Sequence, residues 1–232
     1  MPSRTAPRPP EAASPPWRAE LGNRMADRLV IKVVSVSVFV ALFFQGYFHT
    51  LRQPVNPVTT MPLTPLDTWI PFEPWAIVPY FSLWFYVGIA PGLLLRWRDL
   101  IVYGLWAAAL CAGGLAIFHA WPTEVPARAP EIAGLPGFAL LAGVDGAGNA
   151  CPSLHVATAV FTATWVERLL RAVGAPGALR AINLLWLLAI VWSTVAVRQH
   201  VVLDVVAGLG WGLLFAALSH RLSPGIAWRP GQ

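Results

Sequence analysis

Charged side chains are scarce in this chain. Of its 232 residues, 16 are Lys or Arg and 11 are Asp or Glu, so charged residues make up 12%. A soluble globular domain carries about a quarter, and the composition therefore excludes an ordinary soluble domain. The net charge of +5 does not indicate a nucleic-acid partner, because the cations are nearly all arginines scattered beside apolar segments.

Cysteine is scarce as well, which excludes a disulfide-stapled scaffold. Cys111 falls in the middle of an apolar segment and Cys151 at the edge of another. Their expected depths differ, so we do not expect a disulfide between them. Two cysteines also leave too few ligands for a structural zinc site.

Hydrophobic residues, by contrast, make up 56% of the chain, and the mean hydropathy is +0.60. Twelve tryptophans and 22 prolines suit interfacial belts and helix ends. A membrane helix needs about 20 mostly apolar residues. The segments that qualify are roughly 29–50, 74–95, 100–121, 153–173, 178–198 and 200–219, which predicts an all-α bundle of six transmembrane helices.

The remaining segments complete the predicted organisation. Residues 1–28 are rich in Pro, Arg, Ser and Ala and are predicted to form a disordered cytoplasmic tail. The apolar run that follows has no evident small-residue cleavage site, which favours a retained first helix over a signal peptide. Within the membrane domain, 29–220, residues 52–73 are expected to lie in the interface, either as a lip beside a lipid-binding cleft or as a plain loop. Residues 122–150 are expected to form a second outer loop, and 221–232 a cytoplasmic tail.

The distribution of basic residues predicts the orientation. With the N-terminus in the cytoplasm, the outer side receives only Arg52, Arg128 and Arg198. The cytoplasmic side receives Arg4, Arg8, Arg18, Arg24, Arg28, Arg96, Arg98, Arg168, Arg171, Arg180, Arg221 and Arg229, with Lys32 just inside the first span. Both termini are thus expected in the cytoplasm, and the composition, rich in Ala, Gly, Pro and Arg, suits a bacterial inner membrane.

The outer arginines run against this bias and are better explained by an anionic ligand. The histidines agree, because His49, His119, His155 and His200 fall at outer ends of spans and only His220 falls inside. For His49 and His119, a solvated or headgroup-contacting side chain is the simpler interpretation. For His155 and His200, the neighbouring residues favour chemistry.

His200 and Asp204 are four residues apart at the start of the sixth span, so they share one helix face. A carboxylate one turn from an imidazole can accept its ring N–H and fix its tautomer. The alternative is a structural pair that locks helix packing. A second candidate is Pro152-Ser153-Leu154-His155 at the start of the fourth span, where free amides and the helix dipole favour an anion. Arg128 offers a planar fork matched to phosphate oxygens, unless Glu124 or Glu131 pairs with it.

The order Arg128, then Pro152-Ser153-Leu154-His155, then Ser193 through His200 to Asp204 resembles the three signature motifs of the type 2 phosphatidic acid phosphatase superfamily. The Pro-Ser-Leu-His form and the Gln-His-Val-Val-Leu-Asp ending look most like the inositol phosphorylceramide synthase branch. The resemblance implies that His200 attacks phosphorus to form a phosphohistidine, that Asp204 orients it, and that His155 exchanges protons with the leaving and accepting oxygens. Arg128, Ser153 and Ser193 would hold the phosphoryl oxygens, and no cofactor is required.

The sequence departs from the family pattern at two cations. Trp121 stands where the first motif begins with Lys, and Thr194 stands where Arg follows the third-motif Ser; Arg198 is a candidate replacement that would also bind the substrate phosphate. The expected substrate is a phospholipid, isoprenoid or sphingolipid phosphate, with water or an alcohol as acceptor. Two other hypotheses stay open: a metal site formed by His155, His200 and Asp204, and a transporter or scaffold with a degenerate site. The oligomeric state is not indicated by the sequence.

Overall fold

The computed structural model describes residues 16–126 and 148–222, which are mostly helical. The helices are α1 (Trp17–Ala26), α2 (Leu29–Arg52), α3 (Pro65–Trp69), α4 (Ile77–Tyr86, after a 3₁₀ turn at Pro74–Ala76), α5 (Ile89–Leu93), α6 (Trp97–Ala120), α7 (Leu154–Ala172), α8 (Gly177–Ala196) and α9 (Val202–Leu222). Two short strands, β1 (Thr59–Thr60) and β2 (Thr123–Glu124), pair in parallel.

Within the described residues, five helical stretches are long and apolar enough to cross a membrane. They are Leu29–Arg52, Pro74–Leu93, Trp97–Ala120, Gly177–Ala196 and Val202–Leu222. Each coincides with a predicted span to within a few residues, and the second is composite, since it joins the 3₁₀ turn, α4 and α5. The chain is therefore an integral membrane protein of helical architecture.

The fourth predicted span, 153–173, corresponds to α7, which is not among these five. Thirteen of its 19 residues are buried, and it packs against α4, α5, α6, α8 and α9. Its polar side chains have partners: the Thr162 hydroxyl lies 3.4 Å from that of Tyr103, and Glu167 Oε1 accepts from Arg171 and Arg180 at 2.6 and 2.7 Å. The lower hydropathy of α7 follows from its central position in the bundle.

α7 and α9 approach each other closely because α9 presents glycines four residues apart. A Cβ at Gly208 would lie 2.5 Å from the carbonyl oxygen of Ser153, and one at Gly212 would lie 2.6 Å from that of Ala157. Small residues at this spacing let two membrane helices pack backbone to backbone. Where the two helices begin, the Ser153 amide donates a hydrogen bond to the Asp204 carbonyl at 3.0 Å.

α1 lies inside the stretch that was predicted to be a disordered tail, so that prediction is wrong for Trp17–Ala26. The buried Arg24 donates to Glu20 Oε1 at 2.7 Å and to the Leu93 carbonyl at 3.2 Å. Lys32 Nζ in turn donates to the Arg24 carbonyl at 2.7 Å. These stabilising partners belong largely to α5 and α2, and the composition of the tail gives no sign of them.

The short strands gather three loop segments at the end of the bundle where α7 and α9 begin. Thr59 of β1 lies opposite Thr123 of β2, and Gly148 forms an antiparallel bridge with Glu124. The Cys151 amide donates to Thr123 Oγ1 at 2.8 Å. These bonds hold the stretch that leads into α7 and so help to position Ser153 and His155.

Candidate active site

The turn between α8 and α9 carries His200. The amides of Gln199 and His200 both donate to the Thr194 carbonyl, at 3.0 and 3.1 Å. Since Thr194 lies in the last turn of α8, these bonds tie His200 to the end of that helix. The imidazole therefore projects from a fixed backbone rather than from a free loop.

His200 lies in the turn before α9 and faces Asp204 in the first turn of that helix. Their Nδ1 and Oδ2 atoms lie 3.5 Å apart, and both side chains are buried. This distance is within ion-pair range but longer than a standard N–H···O bond of about 2.7–3.2 Å, and such contacts often tighten when substrate binds. Asp204 Oδ2 also accepts from the Val201 amide at 3.0 Å, so the carboxylate sits at the N-terminus of α9, where the helix dipole favours negative charge.

Ser153 and His155 occupy the start of α7. Ser153 is the N-cap, and its Oγ accepts a hydrogen bond from the Val156 amide at 3.2 Å. The imidazole of His155 stacks on Tyr80, with ring centroids 4.0 Å apart, and meets Trp84 edge-on. Its Nε2 is buried and has no hydrogen bond to any residue of the described ranges. A buried nitrogen in that state is costly unless a ligand or water supplies the bond.

The two histidines lie at the adjoining ends of α7 and α9, where the Ser153 amide donates to the Asp204 carbonyl at 3.0 Å. Ser193 lies nearby on α8, fully buried, and its Oγ donates to the Ile190 carbonyl at 2.6 Å. Its proton is thus engaged within its own helix. The structure places His155, His200, Asp204 and Ser153 at one end of the bundle, while Arg128 lies outside the described residues.

Arg198 is bonded to the interfacial segment. Its backbone is in the left-handed region, with φ at 60°. Its Nη1 donates to the Asp67 carbonyl at 2.7 Å and its Nη2 to the Ile70 carbonyl at 2.9 Å. The observed contacts give Arg198 a positioning role between α3 and the His200 turn, and its predicted binding of a phosphate stays a prediction.

Asp67 also links α3 to the start of α9, and the sequence does not single it out as a site residue. Its Oδ2 accepts from the amide and hydroxyl of Thr64, both at 2.7 Å, as a capping box of α3. Its Oδ1 accepts from the Val202 amide at 2.8 Å, at the first residue of α9. The Thr64–Asp67 spacing is a sequence signal for the cap, but nothing in the sequence indicates the bond to α9.

The two positions where the family pattern has cations carry neutral side chains with local partners. Trp121 Nε1 donates to Thr59 Oγ1 at 3.2 Å, and Thr194 Oγ1 donates to the Val191 carbonyl at 2.8 Å. Neither side chain supplies positive charge to a phosphate. The described part of the site therefore relies on helix termini, hydroxyls and imidazoles more than on fixed cations.

Two further groups near His200 were not singled out from the sequence. The Gln199 side chain is buried, and neither of its polar atoms has a hydrogen bond within the described part of the chain. Burial, with a smaller contribution from the Asp204 carboxylate, raises the pKa of the Cys151 thiol to about 11. Cys151 is therefore a neutral thiol at physiological pH and is unsuited to act as a nucleophile.

Residues 16–126 and 148–222 contain no set of side chains that would support the metal-binding hypothesis. No group of three or more His, Cys, Asp or Glu side chains there is arranged to hold a metal ion. His200 and Asp204 instead contact each other directly.

The comparison with protein families finds a match over most of the chain. The model of the PAP2 superfamily matches residues 34–228. The chain belongs to the PAP2 (type 2 phosphatidic acid phosphatase) superfamily. No curated protein and no solved structure matches it significantly. Membership of the PAP2 superfamily supports phosphatase or phosphotransferase activity in general, a lipid phosphate substrate and a place in the membrane.

Proposed function

We propose that this protein cleaves a lipid phosphate ester through a covalent phosphohistidine on His200, at the outer face of a six-helix membrane domain. The observation that carries the proposal is the buried His200–Asp204 pair at the start of α9, together with Nε2 of His155 at the start of α7, which has no hydrogen bond within the described residues. Phosphoryl transfer chiefly needs a positioned nucleophile and stabilisation of the phosphoryl oxygens. Both requirements can be met where these helix ends adjoin.

The reaction has two steps, formation of the phosphohistidine and its breakdown. Nε2 of His200 attacks phosphorus, a P–N bond forms, and the P–O bond to the lipid breaks as His155 donates a proton to the leaving oxygen. Asp204 stabilises the imidazolium that His200 becomes. His155 then takes a proton from the incoming hydroxyl, whose oxygen attacks phosphorus, and the P–N bond breaks to restore His200.

The phosphoryl oxygens are assigned to Ser153, Ser193 and Arg128, together with the N-terminus of α7. Ser193 would have to release its bond to Ile190 in order to donate. Arg198 supports the site by holding Asp67 and Ile70 against the catalytic turn.

The acceptor decides between two enzyme classes. Water as acceptor gives a phosphatase, and a lipid alcohol gives a phosphotransferase, which is the outcome that the resemblance to the inositol phosphorylceramide synthase branch favours. Labelled phospholipid incubated with and without candidate alcohols separates the classes, because label appears either as free phosphate or on the alcohol.

The nucleophile is tested by trapping the covalent intermediate. With a ³²P-labelled lipid phosphate and EDTA present throughout, the wild type should acquire acid-labile, base-stable label. His200→Ala should lose the label and lower turnover by about 10³-fold or more, as removal of a nucleophile does. His155→Ala should still take up label from a substrate with a good leaving group, and should lose it slowly because no base activates the acceptor.

His119→Ala is the matched control, since His119 is an exposed histidine at the end of α6, and it should behave as the wild type. Full activity in His200→Ala would sink the assignment. Activity that EDTA abolishes would instead favour the metal-site hypothesis.

A further inference from the structure

An apolar groove runs between α2, α4, α6 and α7 and ends at the candidate active site. It encloses a cavity of about 220 Å³, and aromatic side chains such as Phe39, Phe43, Trp84 and Phe161 line it. His155 and Asn149 form its polar end. The side chain that is proposed to exchange protons with substrate therefore also forms part of the groove wall.

The groove extends far along the bundle from that polar end. On α2 its lining runs from Tyr47 to Ser35, and on α6 from Cys111 to Leu100. At 1.5 Å per helical residue, the α2 stretch is about 18 Å long, which is more than half of the roughly 30 Å hydrocarbon thickness of a bilayer. Its walls are almost wholly apolar over this length.

We propose that this groove receives one hydrocarbon chain of the lipid substrate and that Gly104 determines how long that chain can be. The proposal rests on the proposed function. A water molecule takes about 30 Å³ in the liquid, and a methylene group is of similar size. The cavity of about 220 Å³ thus has room for part of one hydrocarbon chain.

Gly104 lies in the groove wall where a side chain would project into open space. It lines the cavity, and a Cβ built there meets nothing within 4 Å. The residue lies seven positions, or about 10 Å along α6, from Cys111, the last residue of that helix in the groove lining. A larger side chain at 104 would fill the far part of the groove and leave the part next to His155 open.

The test is Gly104→Leu, with Gly210→Leu as the matched control. Gly210 is an exposed glycine of α9 outside the groove lining, and its Cβ position is also open. We expect Gly104→Leu to lower kcat/KM for octadecyl phosphate by about tenfold or more, the equivalent of displacing about two methylene groups. Octyl phosphate should be turned over within about twofold of the wild-type rate constant, and Gly210→Leu should change neither substrate.

A binding readout separates this inference from the proposed chemistry. Octadecyl phosphate with a photoreactive diazirine at the chain end should crosslink to wild-type peptides containing Ser35 or Leu100, and Gly104→Leu should abolish that crosslink. If the wild type turns over neither phosphate but crosslinks in this way, the proposed reaction fails and the groove stands. The groove inference is overturned if Gly104→Leu turns over each of the two phosphates as fast as the wild type does. It is also overturned if the crosslink maps outside the groove.

Discussion

At the scale of single residues, Arg198 is unusual because its backbone and its side chain must be explained together. A left-handed conformation costs a non-glycine residue about 1–3 kcal/mol. The two hydrogen bonds from the guanidinium to carbonyls of the α3 segment can offset that cost, since bonds from a charged donor contribute about 1.5–3 kcal/mol each. The side chain thus holds the turn in the conformation that presents His200.

Arg198→Gly separates this positioning role from direct binding of phosphate. Glycine adopts the left-handed conformation freely, so the variant removes the guanidinium without straining the turn. We expect faster amide hydrogen exchange in residues 64–70, measured by mass spectrometry, and inhibition by inorganic phosphate within about twofold of wild type. An Arg that binds phosphate in a fork geometry contributes charge-assisted bonds of about 1.5–3 kcal/mol.

A loss of phosphate inhibition by tenfold or more would therefore restore the phosphate-binding assignment. Arg198→Lys is the control, because it keeps the charge and cannot span two carbonyls as a planar fork does. Under the positioning role it should raise exchange in 64–70 as Arg198→Gly does.

The residues of the candidate site were predictable from the sequence where their relation is local. The four-residue spacing predicted that Asp204 faces His200, and their side chains lie 3.5 Å apart, although His200 belongs to the turn before α9 and not to the helix itself. Contacts between distant segments had no such signal. Tyr80 stacks on His155 across 75 positions, and Asp67 bonds to Val202 across 135, so neither partner could be named from spacing or composition.

At the scale of elements, the active-site geometry depends on the close approach of α9 to α7. Gly212→Leu should push these helices apart, because even a Cβ there would lie 2.6 Å from the Ala157 carbonyl oxygen. Overpacking of this kind costs roughly 1–3 kcal/mol or more. We expect a lower thermal unfolding temperature in detergent and at least a tenfold loss of turnover.

Gly210→Leu adds the same side chain to the same helix on its open side, so it should leave both measurements near wild type. Equal behaviour of the two variants would show that the α7–α9 contact does not determine the site. The glycine stripe also explains why hydropathy located α9 but gave no sign of its packing, since hydropathy reports burial in lipid and not which helix is the neighbour.

At the scale of the whole molecule, the topology depends on whether α7 crosses the membrane. Five crossings would put the two termini on opposite sides of the membrane, whereas six put both on the same side. The charge distribution favours six, because Arg168, Arg171 and Arg180 flank the α7–α8 connection and suit a cytoplasmic loop. α7 also lies at the centre of the bundle, in contact with α6 before it and α8 after it.

Reporter fusions in a bacterial host test this directly. Alkaline phosphatase, which is active only outside the cytoplasm, should be active when fused after Trp121 and inactive after Gly174. Green fluorescent protein, used as the reciprocal reporter, should fluoresce after Gly174 and at the C-terminus. If α7 did not cross the membrane, the Gly174 fusion would stay on the same side as the Trp121 fusion and alkaline phosphatase would be active there. That result would separate His155 from His200 across the bilayer or require a re-entrant α7, whereas the expected pattern places both histidines at the outer face.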